Sequence, residues 1–307
     1  MKIYSLLEYY EKYLAMPKYF DHVDLSDIPI TPASIVPAIY FSELNSLPKV
    51  FPREYNARNH LKRILRLPEN SKISTNSIFH IIRSNIKDDG KYKANILGTL
   101  DNVICGSLYT QEIDYEQYGG VNTFRYVLGE ILSNVDQNSE ANRLYVYGQI
   151  YSKRKYVDIG ILDNGITIPG KYEQSRPEFS DKDVNPYEFE NDCEALYKAI
   201  NGISTKEGFK RAMEGMSSYE DIYLNDWLGY GLNTSIRLIT EGLGGSFLIA
   251  SRGGICHLTK NEKKFIKAEG DNILNGTFVC IRFKRAKLKK KDFMDYIECN
   301  SPIKGSF

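Results

Sequence analysis

The stretch VNTFRYVLGEILSNVDQNSEANRLYVYGQIYSKRKYVDIGILDNG, residues 121–165, decides how the chain folds. Phe124, Val127, Leu128, Ile131, Leu132 and Val135 recur three and four apart, so 122–138 predicts an amphipathic helix with one broad apolar face. RLYVYGQI (143–150) and KYVDIGIL (155–162) alternate with a period of two and are joined by a short Ser-Lys-Arg turn, which predicts a hairpin. Asp163, Asn164 and Gly165 end the second strand in residues that favour a tight turn.

Downstream, a long polar stretch over 170–228 holds one helical segment, 190–201. A helix over 230–243 and strands at 246–252, 255–259, 265–268 and 277–284 follow. Helix, hairpin, intervening lid, helix and meander make an α+β sandwich, with helices on one face of a mixed, mainly antiparallel sheet. Upstream, Leu6, Leu7, Tyr10 and Leu14 predict a helix over 3–15, and a strand-like stretch covers 19–25. A helix over 34–47 is expected, capped by Thr31 or Ser34 and with Pro37 in its first turn. Helices are also expected over 56–66 and 75–88, while 94–113 has no clear period. The resulting division is a smaller α/β N-terminal region (1–100), a main domain (101–286) and a basic tail (287–307).

Charge points to no class of partner, because 40 Lys and Arg balance 39 Asp and Glu. Five scattered cysteines include no CxxC pair, so they argue against zinc and for reduced thiols in the cytoplasm. The opening residues carry Lys and Glu through their apolar positions, unlike an export signal. No segment reaches the roughly 18 uncharged apolar residues of a membrane span, so no membrane partner is expected.

Four short blocks can carry chemistry. Glu130 and Asn134 lie one helical turn apart on one face. Asn134 can offer an oxygen to Mg²⁺, and Glu130 can take a proton from an attacking water or hydroxyl; both are also ordinary residues on an amphipathic helix. Asp163 can accept a hydrogen bond from an exocyclic amine while Gly165 admits close backbone approach; the same residues simply make a turn elsewhere. Gly229 and Gly231, with Leu232, open a helix whose N–H groups can hold phosphate. Gly276 and Thr277 lead into the last strand, where Thr277 could reach a base.

The order of FRYVLGEILSNVDQNS, VDIGILDNGITIP, GYGLNTSIRLITEGLGGSFLIASRGG and NGTFVCIRF resembles the GHKL superfamily. That superfamily unites DNA gyrase, heat-shock chaperones, sensor histidine kinases and MutL. The resemblance implies a Bergerat-type α/β sandwich that binds ATP with Mg²⁺. It assigns Glu130 as general base, Asn134 as Mg²⁺ ligand, and Asp163 with Gly165 as adenine readers. It assigns Gly229, Gly231 and Leu232 to the phosphate turn and Thr277 to the base side. The pattern departs at Thr167, where a second glycine is usual; a negative φ would accommodate threonine in a stiffer turn. ALYKAINGISTKEG (195–208) resembles a lid element of bacterial ATPases akin to anti-sigma-factor kinases. It puts Lys206 near the phosphates, with a solvated lid lysine as the other reading.

VDLSDIPITPASIVPAIYFSEL (23–44) is similar to the strand, loop and helix of a STAS-type domain, which makes Ser26 or Ser34 the analogous phosphorylated hydroxyl. The alternative is an extension that caps the ATPase. None of the four histidines, His22, His60, His80 and His257, is followed by an acidic residue, which argues against a histidine phosphoacceptor. Three functions stay open. One is a kinase that passes the γ-phosphoryl group to Ser or Thr of a regulatory partner encoded nearby, in a regulatory, toxin–antitoxin or defence module. Another is a slow ATP-hydrolysing switch or nucleotide sensor that orders its lid around a partner. The third is a nucleic-acid-associated regulator that uses the basic run KRAKLKKKDF (284–293), which also reads as a solvated tail. A homodimer is left open.

Overall fold

A computed structural model describes residues 4–19, 21–65, 81–86, 91–108, 119–151, 154–176, 185–205, 230–270, 273–284 and 290–298. The organising element is a seven-stranded sheet in the order β3-β4-β5-β9-β6-β7-β8. Its strands are β3 (Ile82–Asn85), β4 (Arg143–Tyr151), β5 (Tyr156–Asp163), β6 (Ser246–Arg252), β7 (Gly254–Thr259), β8 (Lys263–Lys267) and β9 (Leu274–Lys284). Every ladder in it is antiparallel, so the expected mixture reduces to one direction of pairing. The last strand, β9, inserts between β5 and β6 and brings the Asp163 and Thr277 backbones into register. All eight residues of β5 are buried, Asp158 and Asp163 among them, as in a central strand covered on both faces.

One face of the sheet receives α5 (Gly119–Asn138), α6 (Ile168–Ser175), α7 (Asp192–Ile200) and α8 (Tyr230–Arg237, continuing as a π turn over Leu238–Gly242). The other face is also covered, which corrects the expectation of helices on one face. There α1 (Leu6–Leu14) and α2 (Pro32–Leu44) lie on the central strands. Gly160 explains the close fit: a Cβ there would lie 3.0 Å from the Pro32 carbonyl oxygen and 3.2 Å from Val36. Tyr10 of α1 stacks on Phe278 with ring centroids 5.7 Å apart. One hydrophobic cluster runs from Leu6 to Phe283, so described residues from the first hundred share the core of the sheet.

The N-terminal elements differ in detail from their sequence reading. The first helix starts at Leu6 behind a capping box, in which Ser5 Oγ accepts from Glu8 N and the Glu8 carboxylate accepts from Ser5 N. Thr31 holds the N-cap position of α2 without a cap bond; Pro32 occupies the first turn, and Pro37 lies inside the helix. Ser34 is fully buried and hydrogen-bonded to Thr31, whereas Ser26 is half-buried and pairs with Asp24. The strand-like stretch shrinks to β1 (Val23–Asp24), parallel to β2 (Lys49–Val50). A helix, α3, spans Tyr55–Leu65.

The helix expected over 75–88 is replaced, in its described part, by β3. Ile78, Ile81, Ile82 and Ile86 fit a helical period, but β4 supplies a ladder for Ile82–Asn85 and the extended form wins. The unplaced 94–113 region falls largely in α4 (Lys91–Leu108), which straddles the boundary expected at residue 100. A last helix, α9, covers Lys290–Glu298, inside the stretch expected to be a tail. Cys193, Cys256 and Cys280 are buried thiols. Among the described residues no helix is long and apolar enough to cross a membrane.

Candidate functional site

A cleft opens between α5, α6, the end of α7 and the first turn of α8, with the sheet as its floor. Ile161, Val279 and Ile249 form that floor; they are cross-strand neighbours on β5, β9 and β6. The cavity volume is about 160 Å³, roughly ten times what a single water needs. Glu130, Asn134, Asp163, Thr167, Gly231, Leu232 and Thr277 all line it, although they come from four separate sequence blocks. Gly165 stands behind Asp163 and donates its N–H to Asp163 Oδ1 at 2.9 Å. Gly229 and Lys206 lie outside the described residues.

Backbone packing dictates the turn that carries Asp163. A Cβ on Gly165 would sit 2.0 Å from the Ser139 carbonyl oxygen, so only glycine fits. Ile166 N donates to that same carbonyl at 2.5 Å. Asn164 Oδ1 accepts from Asn142 N and Arg143 N at 3.1 and 2.8 Å, which ties the turn to the loop after α5. On the other side Gly276 has a φ of 141°, and a Cβ there would come 2.0 Å from the Asp163 carbonyl oxygen. Thr167 has a φ of −72° and caps α6, with Oγ1 accepting from Gly170 N at 3.0 Å. A helix cap thus occupies the position where the resemblance expects a second glycine.

Asp163 is buried at 3% exposure, and its hydrogen bonds come from backbone N–H groups, with no cation beside it among the described residues. Burial pushes its carboxyl up to about 7, against the pull of the Gly165 and Thr277 N–H groups. An acceptor held this way is costly unless something uses it. Beside it, Thr277 Oγ1 and Ser251 Oγ lie 3.0 Å apart, and Ile168 N donates to Ser251 Oγ at 2.9 Å. At the other end, Glu130 presses on the first turn of α8: a Cβ on Gly231 would fall 1.9 Å from Glu130 Oε2. The Asn134 oxygen accepts weakly from Asn138 at 3.4 Å, leaving it able to meet a cation.

Sequence reasoning missed three contributors. Ser251 is joined to Thr277 only by strand register, which no local pattern reveals. Lys171 lines the cleft one turn into α6, its Nζ 3.3 Å from Glu140 Oε1. Tyr172 lines it too, from within a segment that read only as polar lid. Among the described residues no group of three or more His, Cys, Asp or Glu side chains is placed to hold a metal ion. A divalent cation would therefore need ligands beyond Asn134 and Glu130, such as phosphate oxygens. No family model and no curated protein matches this chain.

Proposed function

We propose that the cleft binds ATP with Mg²⁺ in the manner of the GHKL superfamily, and that the chain transfers the γ-phosphoryl group to a hydroxyl of a protein. The observation that carries this reading is the buried Asp163 carboxyl in a cleft lined by residues from all four blocks. Such an acceptor suits an exocyclic amine, and Thr277 and Ser251 lie beside it to complete the edge of a base. At the far end, the Gly231–Leu232 turn opens a helix whose N–H groups suit phosphate. Asn134 and the phosphates would hold Mg²⁺, which neutralises phosphate charge when bound. Glu130 lies between the α5 face and that turn, where a carboxylate can orient an attacking hydroxyl and accept its proton.

Incubation with γ-labelled ATP and Mg²⁺, alone and with the product of the adjacent gene, tests this directly. Label on a protein is expected. Label released only as phosphate would replace the kinase with an ATP-driven switch. Glu130→Ala is expected to keep ATP binding and to lose about 10²- to 10⁴-fold in turnover. Full activity in that variant would remove Glu130 from the mechanism.

A further inference from the structure

The wall of the cleft beyond α7 is held from behind. Gly202 turns the chain with a φ of 93°, and Ile203 N donates back to the Lys198 carbonyl at 3.1 Å. Ile203, Ser204 and Thr205 then line the cleft. Two tyrosines from different elements meet this segment. Tyr172 lies on α6, downstream of the Asp163–Thr167 turn, and Tyr187 precedes α7. Their rings stack with centroids 5.4 Å apart at 27°, and both are buried, at 3% and 0% exposure. Tyr172 Oη donates to the Ile203 carbonyl at 2.6 Å, and Tyr187 Oη donates to the Ser204 carbonyl at 2.8 Å.

We infer that the stacked Tyr172–Tyr187 pair is a positioning device that pins the Ile203–Thr205 wall and ties it to the turn carrying Asp163. Two bonds to successive carbonyls fix both the height and the rotation of the wall. The wall leaves α7 beside the first turns of α8, because Asn233 Nδ2 donates to the Ile200 carbonyl at 3.0 Å. A pinned wall therefore shapes the end of the cleft assigned to phosphate, and the base end is left to Asp163 and Thr277. The pinning itself needs no nucleotide. Its consequence for ATP rests on the nucleotide reading proposed above.

Tyr172→Phe and Tyr187→Phe keep the stacked rings and remove only the hydroxyls. Amide hydrogen exchange in the nucleotide-free protein should speed up at 203–205 by about tenfold, the worth of one lost hydrogen bond. Exchange in β5 and β9 should not change. ATP with Mg²⁺ should then bind about tenfold more weakly, while adenosine, which lacks the phosphates, should lose less than ATP does. Unchanged exchange at 203–205, or faster exchange throughout the sheet, would overturn the pinning. Equal losses for ATP and adenosine would overturn the assignment of the wall to the phosphate end. If the parent chain bound no ATP, the nucleotide reading would fail, and exchange alone would still decide whether the tyrosines pin the wall.

Discussion

Asp163 sets a conflict between stability and use. Its carboxyl is raised to about 7 by burial, far above its value in an unfolded chain. Between those two values the folded state holds the proton more tightly than the unfolded state, so stability falls as pH rises through that window and levels off above about 7. Asp163→Asn removes the buried charge and keeps an oxygen for Gly165 N. At pH 8 it should melt at the parent's temperature or a few degrees higher, on the order of 2–4 °C per kcal/mol for a chain of this class. Its amide would present a donor to a donor, so nucleotide affinity should fall by at least about 100-fold. A variant that was both less stable and still able to bind would contradict this picture. For the parent, ATP affinity should weaken as pH is lowered from 8 to 6, with a midpoint near 7, because only the ionised carboxylate accepts fully. Titrations at several pH values would check the sign.

The elements divide by how loudly their sequences speak. The α5, β4 and β5 stretch carries clean periods of 3.6 and two, and its spans match to within a few residues. The Glu130–Asn134 pair and the Asp163–Gly165 turn were legible for the same reason, since their local spacing already sets their geometry. β3 was not legible, because Ile82 and the isoleucines around it fit a helix until a neighbouring strand offers hydrogen bonds. Ser251 became visible only through β-register, since it meets Thr277 across 26 residues of sequence. Two glycines separate packing from chemistry at this scale. Gly165→Ala drives a Cβ into the Ser139 backbone and should cost about 2–3 kcal/mol of stability, measured by denaturant unfolding. Gly231→Ala meets the end of the Glu130 side chain rather than backbone, so it should fold normally while displacing the carboxylate and reducing turnover. A Gly231→Ala protein with full turnover would argue that the carboxylate's place does not matter.

At the scale of the whole molecule, the sheet works as a septum between the cleft and a tyrosine-rich layer under α1 and α2. The position of that layer was hidden in sequence because α2 is apolar on all sides and so points to no particular partner. Gly160, in the middle of a buried strand, was the one hint of close backbone approach. Side-chain hydrogen bonds fasten the layers, Arg83 of β3 onto Glu43 of α2 among them. Tyr40 Oη donates to the Asn275 carbonyl, next to Gly276, and Arg282 forks onto Asp158 at 2.8 Å while donating to the Tyr4 carbonyl. Arg282→Met leaves the Asp158 carboxylate buried without its cation and should cost about 3–5 kcal/mol. Hydrogen exchange should then show α1 loosening before β5 does. The N-terminal layer therefore stabilises the strands that present Asp163 and Thr277, although none of its described residues lines the cleft. The most direct test of the proposed nucleotide site is calorimetric titration of ATP and Mg²⁺ into the parent chain and into Asp163→Asn. Saturable binding by the parent and none by the variant is the predicted result. Equal binding by both, or none by the parent, would contradict the assignment of this cleft to ATP.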